Sequence, residues 1–517
     1  MIRITLDGSS LSVPSLAEAS NNDSRVRIAP SSVKKMKRSR ALVEAWLKGD
    51  QRIYGVTTGF GEFSNVRIPI GKIKELQENL IVSHAAGTGD PLPPEVVRAM
   101  LILRMNALSK GFSGVRPETV EQIARFFNAG LVPVIPSQGS VGSSGDLVQL
   151  AHMVHTMSGG GRVFADWRAP AEDRTTISSA TALRKARIPR LALTAKEGLA
   201  LINGTQMMTA YAALIVDQAR LLCSIADIAT AMSVEGLMGS DTAFDDRIHR
   251  LRPFKGQRDS ARNLRILLRG SEIRESHRHS DHKVQDAYSL RCAPQVHGAS
   301  RDALEYVANV VSVEINSAND NPLIFPDDKE HLEGGNFHGQ PIALAMDFAA
   351  IALSELANIS ERRVERMVNG SLSGLPRFLT REGGLNSGLM IAQYTAASLV
   401  SENKVLSHPA SVDSIPTSAN QEDHNSMGSI SAQKCWRVLR NAQTVLAIEL
   451  LCAAQAIDFR KPLKCAPGTA AAHALLRSVI PPLNRDRVLF DDIQSSLRFV
   501  LDGSLYREVA KKVGDLA

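Results

Sequence analysis

Residues 139–152 read GSVGSSGDLVQLAH and join a loop of small residues to the start of a helix. Glycine and serine carry little side-chain bulk, so this loop can reach backbone conformations that are closed to other residues. Leu147, Leu150 and Ala151 follow at helical spacing, and Gly159 marks the predicted end of the helix. The stretch therefore predicts a tight loop that leads directly into an apolar helix.

The position of Ser144 just before a predicted helix indicates a chemical role. Asp146 falls in the first turn, where a carboxylate suits the positive end of the helix dipole. Negative charge that develops at Ser144 would be stabilised at the same place. A flexible loop capped by serine is the alternative interpretation of this pattern.

Other glycine-rich loops do not fit residues 139–145. The loop has no Lys-Ser/Thr pair that closes a phosphate-binding loop, and its serines and glycines match neither a nucleophile elbow nor a dinucleotide site. An internal reaction does fit. The unhindered nitrogen of Gly145 attacks the carbonyl carbon of Ser143, and loss of water from Ser144 leaves a dehydroalanine. The product is an electrophile made from backbone alone.

The loop resembles that of the ammonia-lyases and aminomutases that make a methylideneimidazolone group (MIO) from an Ala-Ser-Gly tripeptide. Further segments match the same family, in its order and over most of the chain. They are YGVTTGFG at 54–61, SHAAG at 83–87, EGLALINGTQ at 197–206, VQDAYSLRC at 284–292, GGNFH at 334–338 and ANQEDH at 419–424. Within the family, the histidine-specific members are the most similar.

The composition is that of a helical protein of two or three domains, or of one large bundle. No N-terminal signal and no uninterrupted apolar stretch of membrane-spanning length is visible. Five cysteines without C-x-x-C spacing argue against zinc and disulfides and favour the cytoplasm. The net charge of +7 is modest, and its basic residues are interspersed with acidic ones, so we expect no nucleic-acid partner.

The chain changes character near residue 190, which predicts a mixed N-terminal region at 1–190 and a long-helix bundle at 191–517. Thr194 to Glu197 read as a capping box that opens a helix to about Met232. Further helices are predicted from Pro341 to about Asn369, over 302–315, over 386–405 and over 431–458. The predicted fold class is all-α, and the resemblance implies a bundle of the aromatic ammonia-lyase or L-aspartase-like type.

The resemblance also implies how the site is built. Ser143, Ser144 and Gly145 condense to MIO, and no external cofactor or metal is needed. The core bundle pairs with copies of itself in a homotetramer, and each active site is shared by several subunits. Tyr54 takes the β-proton of an amino acid, which requires a site that favours its phenolate, since a free tyrosine has a pKa near 10.

The matched segments supply the other expected site residues. Arg291 clamps the substrate carboxylate with its planar guanidinium. Asn203, expected in mid-helix, bonds the MIO oxygen and the carboxylate. Gln285 and Tyr288, expected on one helical turn, line the pocket, and Phe337 packs on the substrate ring.

His84 and Glu422 decide which ring the substrate carries. The resemblance places other residues at both positions in members that act on phenylalanine or tyrosine. An imidazole has two nitrogens that need partners, whereas a phenyl ring has none and would leave a carboxylate unsolvated. Both residues therefore favour L-histidine, with trans-urocanate and ammonia as products. A tyrosine or phenylalanine ammonia-lyase or 2,3-aminomutase is the alternative, and a catalytically silent bundle is a third.

Some positions depart from the family or invite another interpretation. Ser143 replaces the usual alanine, Gln149 stands where proline is common, and Gly339-Gln340 replaces the Ala-Glu of histidine-specific members. A cluster of His277, His279 and His282 with Asp281 could be drawn as a metal site, but its spacing is that of a solvated polar loop.

Overall fold

The computed structural model describes residues 2–49, 51–279 and 283–517, and these are mainly helical. Their contacts form two compact units. Unit 1 comprises Met1–Asp217, Ala308–Asp347 and Pro409–Gln433, and unit 2 comprises Gln218–Val307, Phe348–His408 and Lys434–Ala517. This division differs from the predicted boundary at residue 190, because contacts group segments that lie far apart in the sequence.

Unit 1 combines short helices with four two-stranded sheets. Its helices are Val13–Asn21, Pro30–Trp46, Ile73–His84, Pro94–Ser109, Pro117–Asn128, Leu147–Met157, Ser179–Ala186 and Glu197–Ile202. The strands Ile2–Leu6 and Ser24–Ile28 pair in parallel, with Ile2 opposite Ser24. The antiparallel pairs are Thr88–Pro91 with Pro136–Gln138, Arg162–Phe164 with Thr176–Ser178, and Leu323–Phe325 with Glu330–Leu332.

Unit 2 is helical in its described part. Its own helices are Asp246–Arg250, Lys255–Leu267, Glu272–Glu275, Tyr288–Arg291, Gly370–Ser373, Met390–Leu406, Pro467–Val479, Leu489–Leu501 and Ser504–Val513. The residues of four long helices are divided between the two units: Gln206–Gly236, Ala293–Glu314, Gln340–Val368 and Gly428–Asp458. Helices this long and this apolar must pack against one another to bury more than one face.

Two of the predicted long helices are confirmed here. The helix predicted from Pro341 spans Gln340–Val368, and the helix predicted over 431–458 spans Gly428–Asp458. Gln340–Val368 is also the one described helix that is long and apolar enough to cross a membrane, and 67% of its most apolar window is buried inside the protein. Its apolar character is that of a core helix.

The predicted helix from Glu197 to Met232 is wrong in one respect, because the chain breaks it at Asn203. The structure has one helix at Glu197–Ile202 and a second at Gln206–Gly236. Asn203 is extended, with φ −85° and ψ 109°, and Gly204 has φ +149°. Asn203 therefore ends a helix and does not lie in the middle of one. Glu197 Oε2 accepts from the amide and hydroxyl of Thr194, but the N-cap of Glu197–Ile202 is Lys196, so the predicted capping box does not open this helix.

Candidate active site

The loop of residues 139–145 is packed against the break between the two helices. Gly204 N donates to Ser144 O at 3.2 Å, and Asp146 N donates to Gly204 O at 2.8 Å. Gly145 has φ +77°, and a Cβ on it would lie 2.0 Å from Gly204 O. Glycine is required here because any side chain would collide with backbone.

A second segment holds the loop from another direction. Ser426 Oγ donates to Gly142 O at 2.9 Å, and Met427 N donates to Val141 O at 2.8 Å. Gly142 has φ +77°, and a Cβ there would lie 2.2 Å from Ser426 Oγ. The backbone of the loop is therefore fixed by two segments distant in sequence.

Asp146 lies at the start of its own helix, but its carboxylate caps a different helix. It stands at the N-cap of Leu147–Met157 without a side-chain capping bond. Its carboxylate instead accepts from Met207 N at 2.8 Å, Met208 N at 3.0 Å and Ser429 Oγ at 2.8 Å. It thus caps the helix Gln206–Gly236 and ties that helix to the loop. Burial raises the pKa of Asp146 to about 6, and these hydrogen bonds oppose the rise.

Glu422 meets both serines of the loop. Ser143 Oγ donates to its Oε2 at 3.1 Å, and Ser144 Oγ donates to its Oε1 at 3.2 Å. Thr417 Oγ1 donates to Oε2 at 2.7 Å, and two backbone hydrogen bonds join Thr417 to Glu422. Between them, residues 418–420 all have positive φ, from 50° to 68°. Three consecutive non-glycine residues in the left-handed region are strained. This strained turn positions the side chain of Glu422 in the site.

Tyr54 lies close to these groups, but its surroundings do not favour the phenolate. Gly61 N donates to Tyr54 Oη at 3.2 Å, and the Phe60 ring meets the tyrosine ring edge-on, with centroids 6.3 Å apart. Burial raises the pKa of Tyr54 above 10, the Gly61 amide lowers it, and the charge of Glu422 raises it further. The expectation that the complete site favours the phenolate stays a prediction.

Asn203 is buried beside the loop with part of its amide unused. Its Oδ1 has no hydrogen-bond partner among the described residues. Its main-chain oxygen accepts from Arg104 Nη1 at 2.7 Å, and the same nitrogen donates to Gln206 Oε1 at 2.8 Å. Oδ1 is an acceptor, so it requires a hydrogen-bond donor from a bound ligand, since a ring formed from residues 143–145 would offer only acceptors.

A cavity of about 470 Å³ opens over the loop within unit 1. Its volume suits a small-molecule ligand. Six of the eleven predicted site residues line it, namely Tyr54, Ser143, Ser144, Asn203, Phe337 and Glu422. The other lining residues are Gly61, Asn321, Glu333, Gly335, His338, Gln421, Asp423 and His424.

His84 lies at the end of the helix Ile73–His84 and does not line this cavity. Its Nδ1 is 3.0 Å from Ser83 Oγ. Burial lowers the pKa of His84, and the negative charge of Glu422 opposes the shift. The two predicted ring-selecting residues therefore interact electrostatically.

Gln285, Tyr288 and Arg291 belong to unit 2. The helix there begins at Tyr288, so the prediction that Gln285 and Tyr288 share a helical turn is wrong. The Arg291 guanidinium carbon lies 4.6 Å from the Tyr288 ring centroid, as in a cation–π contact. Arg291 Nε is buried and has no partner among the described residues.

The predicted loop cluster of histidines is only partly described. Asp281 and His282 lie outside the described residues. The ring of His277 is buried, with Nε2 3.1 Å from Gly239 O. Within residues 2–49, 51–279 and 283–517, no group of three His, Cys, Asp or Glu side chains could hold a metal ion.

Several residues that shape the site carried no signal in the sequence. Thr417 orients Glu422 and Ser426 fixes the loop. Arg104 holds the main chain of Asn203 through a hydrogen bond to its carbonyl oxygen. Gln149 is one of the residues at which the sequence departs from the family pattern. Its Oε1 accepts from Ser140 Oγ at 2.6 Å, and this bond joins the helix to the loop. Gly339 must be glycine, because a Cβ at this position would lie only 2.7 Å from the side chains of Met208 and Ser426.

Comparison with known proteins identifies the family. Residues 11–478 match the model of the aromatic amino acid lyases. The chain is 53% identical over 514 residues to a histidine ammonia-lyase of Caldanaerobacter subterraneus subsp. tengcongensis, with 99% of each chain covered. The crystal structure of histidine ammonia-lyase from Trypanosoma cruzi superposes with a TM-score of 0.91 at 45% identity, covering 99% of this chain and 96% of that one.

Tyrosine aminomutase from Streptomyces globisporus superposes equally well. Its TM-score is 0.94 at 39% identity, with both chains covered completely. The backbone is therefore shared by members with different reactions, and side chains must distinguish them. By sequence and by structure, the chain belongs to the aromatic amino acid lyase family and is a carbon–nitrogen lyase.

Proposed function

We propose that this protein eliminates ammonia from L-histidine and releases trans-urocanate. The observation that carries the proposal is the carboxylate of Glu422 in the cavity beside Tyr54 and the loop serines. A carboxylate there can accept a hydrogen bond from an imidazole N–H. A phenyl ring offers no such donor and would leave the carboxylate desolvated and unpaired.

In this proposal, residues 143–145 form MIO without an external cofactor. The group supplies an electrophile that captures the substrate amine and makes it a better leaving group. The close packing of Gly145 on Gly204, where no side chain fits, supports this assignment.

The chain's own residues take the remaining roles. Tyr54 removes the β-proton, and Asn203 hydrogen bonds to the substrate carboxylate. Phe337 packs on the ring, and Glu422 selects imidazole over phenyl. Such a division of work requires that Tyr54 lose its proton before it acts as the base.

We place Gln285, Tyr288 and Arg291 in the active site of a neighbouring subunit, within a cytoplasmic homotetramer. Val284 and Tyr288 are 98% and 71% exposed in the single chain, as expected of a segment that reaches a partner. Arg291 would clamp the substrate carboxylate there. This contact would give a partner to the guanidinium group, whose Nε has none among the described residues.

The test is turnover of three amino acids by the purified protein. Histidine, tyrosine and phenylalanine are incubated separately, and the conjugated acrylate product is followed by ultraviolet absorbance. We expect product from histidine alone. The intact mass should be lower than the sequence mass by two waters, and Ser144→Ala should have the full variant mass and no activity. Acrylate from tyrosine and none from histidine would overturn the substrate assignment.

A tyrosine or phenylalanine lyase or 2,3-aminomutase is the second candidate. The superposition on tyrosine aminomutase favours it, since the backbone accommodates that chemistry. Product analysis separates the two, because an aminomutase yields a β-amino acid and retains the nitrogen. An unaltered intact mass together with no turnover would instead indicate a catalytically silent bundle.

A further inference from the structure

Ser143 differs from the alanine usual at this position by one hydroxyl group, and that hydroxyl has a definite partner. Ser143 is 7% exposed, and its Oγ donates to Glu422 Oε2 at 3.1 Å. The same carboxylate oxygen accepts from Thr417 Oγ1 at 2.7 Å. The other oxygen, Oε1, accepts only from Ser144 Oγ at 3.2 Å among the described residues.

Ring closure changes the hydrogen-bond donors of the two Glu422 oxygens differently. Closure joins Gly145 N to the carbonyl carbon of Ser143, and the carbonyl oxygen leaves as one water. Ser144 then loses its Oγ and its Cα hydrogen as a second water. Oε1 thereby loses its donor, whereas Oε2 keeps the hydroxyls of Ser143 and Thr417.

We propose that Ser143 is a positioning residue that holds Glu422 Oε2, so that Oε1 is presented to the N–H group of the substrate imidazole. The proposal rests on the proposed function. Thr417 belongs to the same short segment as Glu422 and is joined to it by backbone hydrogen bonds. Ser143 belongs to the ring-forming loop, so its hydrogen bond alone fixes the carboxylate relative to the loop where the amine reacts.

The effect should appear in substrate binding and not in ring formation. Hydrogen bonds to a carboxylate contribute more than neutral ones, and losing the one from Ser143 lets Glu422 rotate. In Ser143→Ala we expect KM for histidine to rise about tenfold, with kcat changed less than about twofold, because uniform binding is lost. Ser143→Thr keeps a hydroxyl and should restore KM to within about twofold of the original value.

Ser109→Ala is the matched control. Ser109 is a buried serine of unit 1, but its hydroxyl bonds Met105 O within its own helix and does not reach the cavity. Its KM should equal that of the unaltered protein. The intact mass of each variant, lower by two waters, verifies that ring formation is complete before kinetics are compared.

A double-mutant cycle with Thr417→Val sharpens the test. Because both hydroxyls hold one oxygen, we expect the combined rise in KM to exceed the product of the single rises. An unchanged KM in fully matured Ser143→Ala, beside an unaltered protein that turns over histidine, would overturn the role of Ser143 alone. If the unaltered protein does not act on histidine, the proposed function fails first and the inference fails with it.

Discussion

Glu422 in unit 1 and Glu449 in unit 2 are held in opposite ways. Glu449 is fully buried, and Arg363 pairs with both of its oxygens, while Ser233 and Ser360 donate at 2.7 and 2.6 Å. The side-chain donors that Glu422 meets within the described residues are hydroxyl groups. Glu449, the buried structural carboxylate, is paired with a cation. Glu422, the carboxylate in the cavity, has no cation beside it among the described residues and is therefore available to a ligand.

The same difference separates two fully buried aspartates. Asp227 in unit 2 is desolvated, yet the charges of Arg301 and His297 hold its pKa at about 2. Asp146 beside the loop accepts only from backbone amides and a serine, and burial raises its pKa to about 6. Around the loop, neutral hydrogen-bond donors fix the position of a carboxylate without compensating its negative charge. Desolvation then decides the pKa, which is how catalytic sites obtain shifted groups.

The largest expected effect comes from breaking the unit 2 pair. Arg363→Met should lower the free energy of unfolding by about 3–5 kcal/mol, because it leaves the Glu449 charge buried without a partner. Urea denaturation at fixed protein concentration measures it. Adding Glu449→Gln should recover part of the loss. If the single variant is as stable as the original, Glu449 is not the structural carboxylate that the comparison requires.

The second prediction concerns Asp146 and pH. Its pKa in the folded state is about 6, above the unfolded value of 3.8, so its contribution to stability is present below pH 3.8 and is lost as pH rises through 6. The shift corresponds to about 3 kcal/mol. Asp146→Asn should abolish this part of the pH dependence in urea midpoints measured between about pH 4 and 7.

Asp227 provides the opposite sign when the same measurement is extended below about pH 4. Its lowered pKa contributes stability above pH 3.8 that is lost as pH falls toward 2. A pH profile of Asp146→Asn that matches the unaltered protein would show that Asp146 is already ionised below its predicted range.

The smallest expected effect on stability is that of Glu422→Gln. We expect the free energy of unfolding to change by less than about 1 kcal/mol, because Glu422 is half-buried and forms no ion pair among the described residues. The value of kcat/KM for histidine should fall about 100-fold, or about 2.7 kcal/mol. A variant that loses stability but keeps kcat/KM would reverse the assignment of the two glutamates.

Local signals predicted some elements well. The helix at Gln340–Val368 begins beside Pro341 and ends before Gly370, and both signals act within a few residues. The break after Ile202 was missed, although Gly204 stands there. Its φ of +149° is required by pairing with the loop some 60 residues away, and no local rule contains that partner.

The candidate site divides in the same manner. Tyr54, Ser143, Ser144, Asn203, Phe337 and Glu422 were named from matched segments, and they line one cavity. Thr417 was not, since a threonine five residues before Glu422 becomes relevant only through the left-handed turn between them. The position of Asp146 at a helix start was predicted but its partners were not, because the nearest helix by sequence is not the helix that its carboxylate caps.

By itself, the order of amino acids determined that this chain forms long apolar helices and carries a loop of small residues just before one of its helices. Those properties depend on spacing and on side-chain volume, which neighbours along the chain define. Tertiary structure alone decided which carboxylates receive cations and which receive hydroxyl groups. Electrostatic partners are chosen by distance in space, and the residues that hold Glu422 and Asp146 come from segments up to about 280 positions apart.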